Sequence, residues 1–130
     1  MSSHNWNAAT LVVEARNNKK AVGAFNVILL EHAESYVEAA ERAELPTILQ
    51  ISENAVNYHG SLKPILVAAK AIAAQSSQRI SVHLDHAEST ELVKEALDLG
   101  ADSVMYDGSK LEFSENVKTS IAMRELAHSY

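Results

Sequence analysis

Four times in succession the chain moves from a short apolar, β-branched run to a stretch with helical periodicity, and that order limits the fold more than any single residue does. The runs are AVGAFNV (21–27), TILQIS (47–52), ISVHLD (80–85) and SVMYDG (103–108). Helical patterns follow each of them. They cover 31–44, closed by Pro46, and a region near 62–75 after a loop containing NYHG (57–60). Two more run from Ser89 to Leu99, stopped by Gly100, and from Ser114, read as an N-cap, to His128. A short helix over Asn7–Asn17 leads the first unit. This order predicts a parallel sheet with right-handed crossovers, either doubly wound or closing into a barrel.

Alternation inside the strands favours the barrel. In ISVHLD, Ile80, Val82 and Leu84 share one face, while Ser81, His83 and Asp85 share the other. In TILQIS, Leu49 and Ile51 oppose Gln50 and Ser52, and in SVMYDG, Val104 and Tyr106 oppose Ser103, Met105 and Asp107. A sheet covered by helices on both sides tolerates such polar faces poorly, whereas a barrel lumen can use them. Asn26, Ser52, Asp85 and Asp107 also fall at or near the C-terminal ends of their strands, where catalytic side chains gather in (β/α)8 barrels.

Composition narrows the partners. With 130 residues, 47% hydrophobic and 22% charged, the chain suits one domain with a real core, over 1–130. The formal net charge of −6 and the lack of a basic stripe argue against nucleic acid or an anionic membrane as the main partner. There is no cysteine, so a metal must be held by His, Asp or Glu. The start MSSHNWNAAT lacks the pattern of a signal peptide, and no apolar run approaches the roughly 18–20 residues of a membrane span. A cytoplasmic enzyme or binding protein is expected.

The segment SVHLDHAES (81–89) concentrates the chemistry, with His83, Asp85 and His86 at the end of a strand. On the residues alone, it is compatible with a metal ligand beside an acid/base, a hydrogen-bonded polar plug, or a solvated loop. Neighbours on an ideal strand point to opposite faces, so Asp85 and His86 serve one site only if the strand breaks between them. Asp85 also suits a helix cap or an ion pair, and Asp107 in DGS suits a turn. Asn26 and Ser52 have a backbone-satisfying reading. His4, His32, His59 and His128 are expected at the surface, and Glu31, Glu34, Glu38 and Glu41 on a solvated helix face.

GAFNV (23–27), ILQIS (48–52), HLDH (83–86) and SVMYDGS (103–109), in this order and with these gaps, resemble the N-terminal half of class II, metal-dependent ketose-bisphosphate aldolases of the fructose- or tagatose-bisphosphate type. The resemblance covers nearly all of 21–118. It implies a (β/α)8, TIM-barrel fold that reversibly cleaves a ketose bisphosphate to dihydroxyacetone phosphate and an aldehyde, usually with Zn²⁺. It matches Asp85 to the catalytic acid/base, His86 to the first zinc ligand and Asp107 to a carboxylate close to the metal, associated with an alternative or second cation position. Asn26 and Ser52 match polar residues at the substrate end, Ser52 as a candidate phosphate contact. His83 matches the first histidine of the motif, to which the resemblance assigns no catalytic role.

An eight-unit barrel typically needs about 250 residues, and this sequence holds four β/α units after a short helix. On the resemblance, the remaining zinc-binding histidines, the glutamate that handles the carbon-bound proton and most phosphate-binding loops lie in the other half. Ala87 stands where the family often has Gly, and Ile28-Leu29 where many members have polar residues. Residues 1–130 alone are therefore expected to bind zinc weakly, to show no turnover and to self-associate, as a homo-oligomer or with a C-terminal half barrel. The alternatives are a non-catalytic half-barrel interaction module and another phosphosugar barrel enzyme.

Overall fold

The computed structural model describes residues 6–130, so His4 lies outside the described residues. Its elements run α1 (Ala8–Asn17), β1 (Gly23–Asn26), α2 (Leu30–Ala43), β2 (Thr47–Ser52), α3 (Glu53–His59), α4 (Lys63–Gln75), β3 (Ile80–Ala87), α5 (Thr90–Asp98), β4 (Ser103–Tyr106) and α6 (Phe113–His128). The four strands form one parallel sheet in the order β1-β2-β3-β4, so each β/α unit places its strand beside the last. No described helix is long and apolar enough to cross a membrane.

Local chemistry sets the boundaries. Asn7 caps α1 by accepting from the Ala9 N–H, and Ser89 caps α5 by accepting from the Leu92 N–H. Glu44 ends α2 in a left-handed conformation, and Pro46, lacking an N–H, leads the chain out toward β2. Gly100, at φ 83°, turns the chain from α5 toward β4.

The outward strand face builds the core as the alternation predicts. Leu49, Ile51, Val82 and Leu84 are fully buried and pack in one cluster with Val37, Ala40, Leu66, Ala69, Val93 and Ala96 from the helices. Each buried Leu, Ile or Val among them contributes about 1.5–3 kcal/mol on leaving water. The other face carries Gln50, Ser52, His83 and Asp85, with Met105 exposed, while Phe25, the register partner of Leu49, lies on the helix side against the Tyr36 ring. Strand β1 is exposed along its length, and α6 buries no residue fully, touching the core through Met123, Leu126 and Ala127.

Three sequence expectations change. The NYHG loop is the end of helix α3, which Ser52 caps, Ala55 and Val56 anchor, and Gly60 terminates at φ 77°; seven residues are too few for a clear periodic signal. Helix α6 begins one residue before Ser114, with Glu112 at the N-cap position and no side-chain cap. Glu41 does not sit on a purely solvated face, because it accepts hydrogen bonds from the Ser76 and Ser77 hydroxyls and from the Ser77 N–H, tying α2 to the loop before β3.

Candidate active site at the strand ends

The site is built by an irregularity in β3. Pairing between β3 and β4 runs His83 to Ser103 and Leu84 to Val104, then resumes at Ala87 with Tyr106. Three steps on β3 thus face two on β4, which is a bulge of one residue. His86 takes up the extra residue in the left-handed region at φ 51°. That conformation costs about 1–2 kcal/mol for an L-residue with a Cβ. It breaks the strand alternation, so Asp85 and His86 line the same cleft.

Register brings the other groups alongside. Ser52 on β2 stands opposite Asp85 on β3, and the Asp107 N–H donates to the Ala87 carbonyl beyond the bulge at 2.8 Å. An open cleft of about 1010 Å³ at these ends is lined by Asn26, Ser52, Asp85, His86 and Asp107, among others. All five candidate residues therefore share one concavity. Ser52 has a structural task as well, since its Oγ accepts from the Ala55 N–H at 3.2 Å.

The charged groups form a chain. Asp85 is 8% exposed, with Oδ1 at 3.7 Å from His83 Nε2 and Oδ2 at 3.8 Å from His86 Nε2. His86 Nδ1 lies 3.0 Å from Asp107 Oδ2, and Asp107 Oδ1 accepts from the Ser109 N–H at 3.0 Å. Asp107 is thus both the turn residue of DGS and the partner of His86. Hydrogen bonds from Ser109, and then from His86, hold its carboxyl well below the usual range. The Asp107 hydrogen bond, helped by the charge of Asp85, raises the His86 pKa above its ordinary value. Burial pushes His83 the other way, toward the neutral form.

Sequence reasoning missed the rim. Lys110 Nζ contacts Glu88 Oε1 at 2.6 Å, and the Glu88 N–H donates to Glu53 Oε2 at 2.6 Å, so the loop after β3 is tied to the start of α3. Glu53 directly after the polar strand end of Ser52 was the available signal. His32 and His59 are also more than surface residues. His32 Nδ1 accepts from the Ile28 and Leu29 N–H groups, and His59 Nε2 lies 2.5 Å from the Ile28 carbonyl.

A catalytic zinc site takes three protein ligands. Among the described residues no three His, Cys, Asp or Glu side chains are disposed to hold a metal ion. His86 and Asp107 bond to each other and form at most part of a donor set, so residues 6–130 do not complete such a site.

Residues 6–130 match the family model described as fructose-bisphosphate aldolase class-II. The fructose-bisphosphate aldolase of Geobacillus stearothermophilus is 38% identical over 118 residues, 89% of this chain and 41% of that protein. The fructose-bisphosphate aldolase of Giardia intestinalis is 37% identical over 116 residues, 89% of this chain and 36% of that one. A crystal structure assigned as a fructose-1,6-bisphosphate aldolase from Coccidioides immitis superposes with a TM-score of 0.87 at 28% identity, covering 95% of this chain and 43% of that chain. The YdjI aldolase of Escherichia coli K12, at 24% identity, has the same fold with a TM-score of 0.86 over 95% of this chain and 48% of its own. The chain spans about two fifths of the length of these curated relatives, matching their N-terminal part. With four parallel β/α units in sequential order and this match over 6–130, the chain belongs to the class II fructose-bisphosphate aldolase family and forms half of its TIM-type barrel.

Proposed function

We propose that this chain supplies the N-terminal half of a barrel enzyme that reversibly cleaves a ketose bisphosphate, fructose 1,6-bisphosphate or tagatose 1,6-bisphosphate, to dihydroxyacetone phosphate and glyceraldehyde 3-phosphate. The meeting of Asp85, His86 and Asp107 around the β3 bulge, in a chain of this family, carries the reading. Asp85 accepts the proton of the hydroxyl that becomes the aldehyde carbonyl as the carbon–carbon bond breaks, and returns it in condensation. His86 is one ligand of Zn²⁺, Asp107 orients it, and the remaining ligands lie outside residues 6–130. Asn26 and Ser52 face the substrate. Because Ser52 Oγ already accepts a hydrogen bond, it meets a phosphate through its own O–H.

Charge supports this division of labour. The cleft carries Glu53, Asp85, Glu88 and Asp107 against Lys110 and His86, so this half attracts a bisphosphate poorly and the principal phosphate contacts come from elsewhere in the barrel. The free edges of β1 and β4 are covered by a C-terminal half barrel or by a second copy, and the working enzyme is cytoplasmic. The test is cleavage of both sugars by a barrel carrying both halves, with zinc measured by elemental analysis. Zinc-dependent cleavage is expected from that barrel and none from residues 1–130. A zinc-loaded barrel that cleaves neither sugar would reject the reading.

A further inference from the structure

His83 is the member of the HLDH run to which the sequence assigns no task. It is half-buried on the inner face of β3, and Asp85 lies two residues further along the same strand. Its Nδ1 stands 2.7 Å from the hydroxyl of Ser103, its register partner on β4. Its Nε2 stands 3.7 Å from Asp85 Oδ1.

A neutral imidazole has one N–H and one lone pair, and its two tautomers treat these neighbours differently. With the proton on Nδ1, the ring donates to Ser103 Oγ and turns the Nε2 lone pair on a carboxylate oxygen, which is repulsive. With the proton on Nε2, the Ser103 hydroxyl donates to Nδ1, and the positive end of the Nε2–H faces Asp85. Burial of the ring favours its neutral form, so the tautomer decides what Asp85 meets.

We propose that Ser103 and His83 form a positioning relay for Asp85. The Asp85 carboxylate favours the Nε2–H tautomer and the serine, by donating to Nδ1, reinforces it; that N–H faces Oδ1, leaving Oδ2, the oxygen on the His86 side, for the proton in transit. The proposal rests on the reading of Asp85 as the acid/base. At 3.7 Å the hold is electrostatic rather than a direct hydrogen bond, and together with His86 Nε2 at 3.8 Å from Oδ2 it orients the carboxylate about its last bond. His83 acts through Asp85 and is a positioning residue. Ser103, at the first position of β4, is available because the β3–β4 register sets it directly across from His83.

Long-range proton–nitrogen NMR of the imidazoles tests this on the 130-residue chain. The expected spectrum shows His83 with an unprotonated Nδ1 and a protonated Nε2. Ser103→Ala is expected to draw the two nitrogen shifts toward each other as the tautomers mix, and Ser103→Thr, which keeps the hydroxyl, to restore the wild-type pattern. A role confined to packing would leave the tautomer unmoved in both variants. An Nδ1–H tautomer in the wild type, or an unchanged pattern in Ser103→Ala, would overturn the relay. The reading it rests on fails separately: full turnover of Asp85→Asn in a two-half barrel removes the acid/base assignment, while the tautomer measured in the wild-type chain stands as it is.

Discussion

The two ends of the same four strands use charge in opposite ways. At the N-terminal ends, ionic groups are tied to dedicated partners. Asp102, just before β4, contacts Lys70 Nζ through Oδ1 at 2.5 Å and accepts the Val82 N–H through Oδ2 at 2.7 Å, with its side chain 2% exposed. Arg79, just before β3, pairs with Glu14 of α1 at 2.5 Å and stands over the Trp6 ring. The Thr47 hydroxyl donates to the Gly23 carbonyl at 3.0 Å. At the C-terminal ends, Asp85 is shared between two imidazoles at longer range, and the backbone is bent into a left-handed residue at His86. One end is arranged for stability, while the other, although His86–Asp107 and Lys110–Glu88 pair on its rim, holds Asp85 only at longer range, the division of labour expected of a barrel.

Substitutions at the two ends should therefore fail in different assays. The largest effect is expected at the mouth: His86→Ala in a barrel carrying both halves should lose zinc and turnover together, since two imidazoles cannot replace three ligands. Elemental analysis checks it, and full zinc occupancy in the variant would make His86 a loop residue. At the opposite end, Asp102→Ala should cost about 3 kcal/mol of stability by removing the buried carboxylate that pairs with Lys70 and accepts the Val82 N–H. Urea unfolding of the chain measures this, and a loss below about 0.5 kcal/mol would place the pair with surface ion pairs. Thr47→Val should cost about 1 kcal/mol in the same assay, the worth of one buried neutral hydrogen bond.

The smallest effect is a pH dependence of the exposed His86–Asp107 pair. The His86 pKa is raised above 6.5, so its contribution is complete below 6.5 and fades as pH rises through the higher folded value. The Asp107 pKa is lowered below 3.8, so its contribution is complete above 3.8 and fades only as pH falls through that depressed value. The pair therefore stabilises metal-free protein most between those two ordinary values. An NMR titration should place His86 above 6.5, and Asp107→Ala should bring it back down. A titration at the ordinary value in wild type would dissolve the pair.

Much of this was legible in the chain. The strand alternation placed Val82 and Leu84 in the core and Asp85 on the inner face, because a period of two leaves little choice once one face packs on helices. Asp85, His86 and Asp107 were legible as residue types at strand ends, and the requirement that β3 break between Asp85 and His86 followed from that period. The form of the break was not, since a one-residue bulge depends on pairing with β4, 20 residues away. Helix α3 was hidden by its shortness, and the link from Glu41 to Ser76 and Ser77 because its partners are distant in sequence. Local patterns reveal periodicity and caps; contacts across the fold need the fold.

The central claim is that the strand-end carboxylate of β3 moves the proton while the histidine beside it belongs to the metal, and Asp85→Ala in a barrel carrying both halves tests it most directly. Zinc content and cleavage are measured on the same preparation. The account predicts nearly unchanged zinc with cleavage lowered at least about 10²-fold, the lower range for lost acid/base catalysis. Near-normal cleavage, or zinc lost in step with activity, would contradict it.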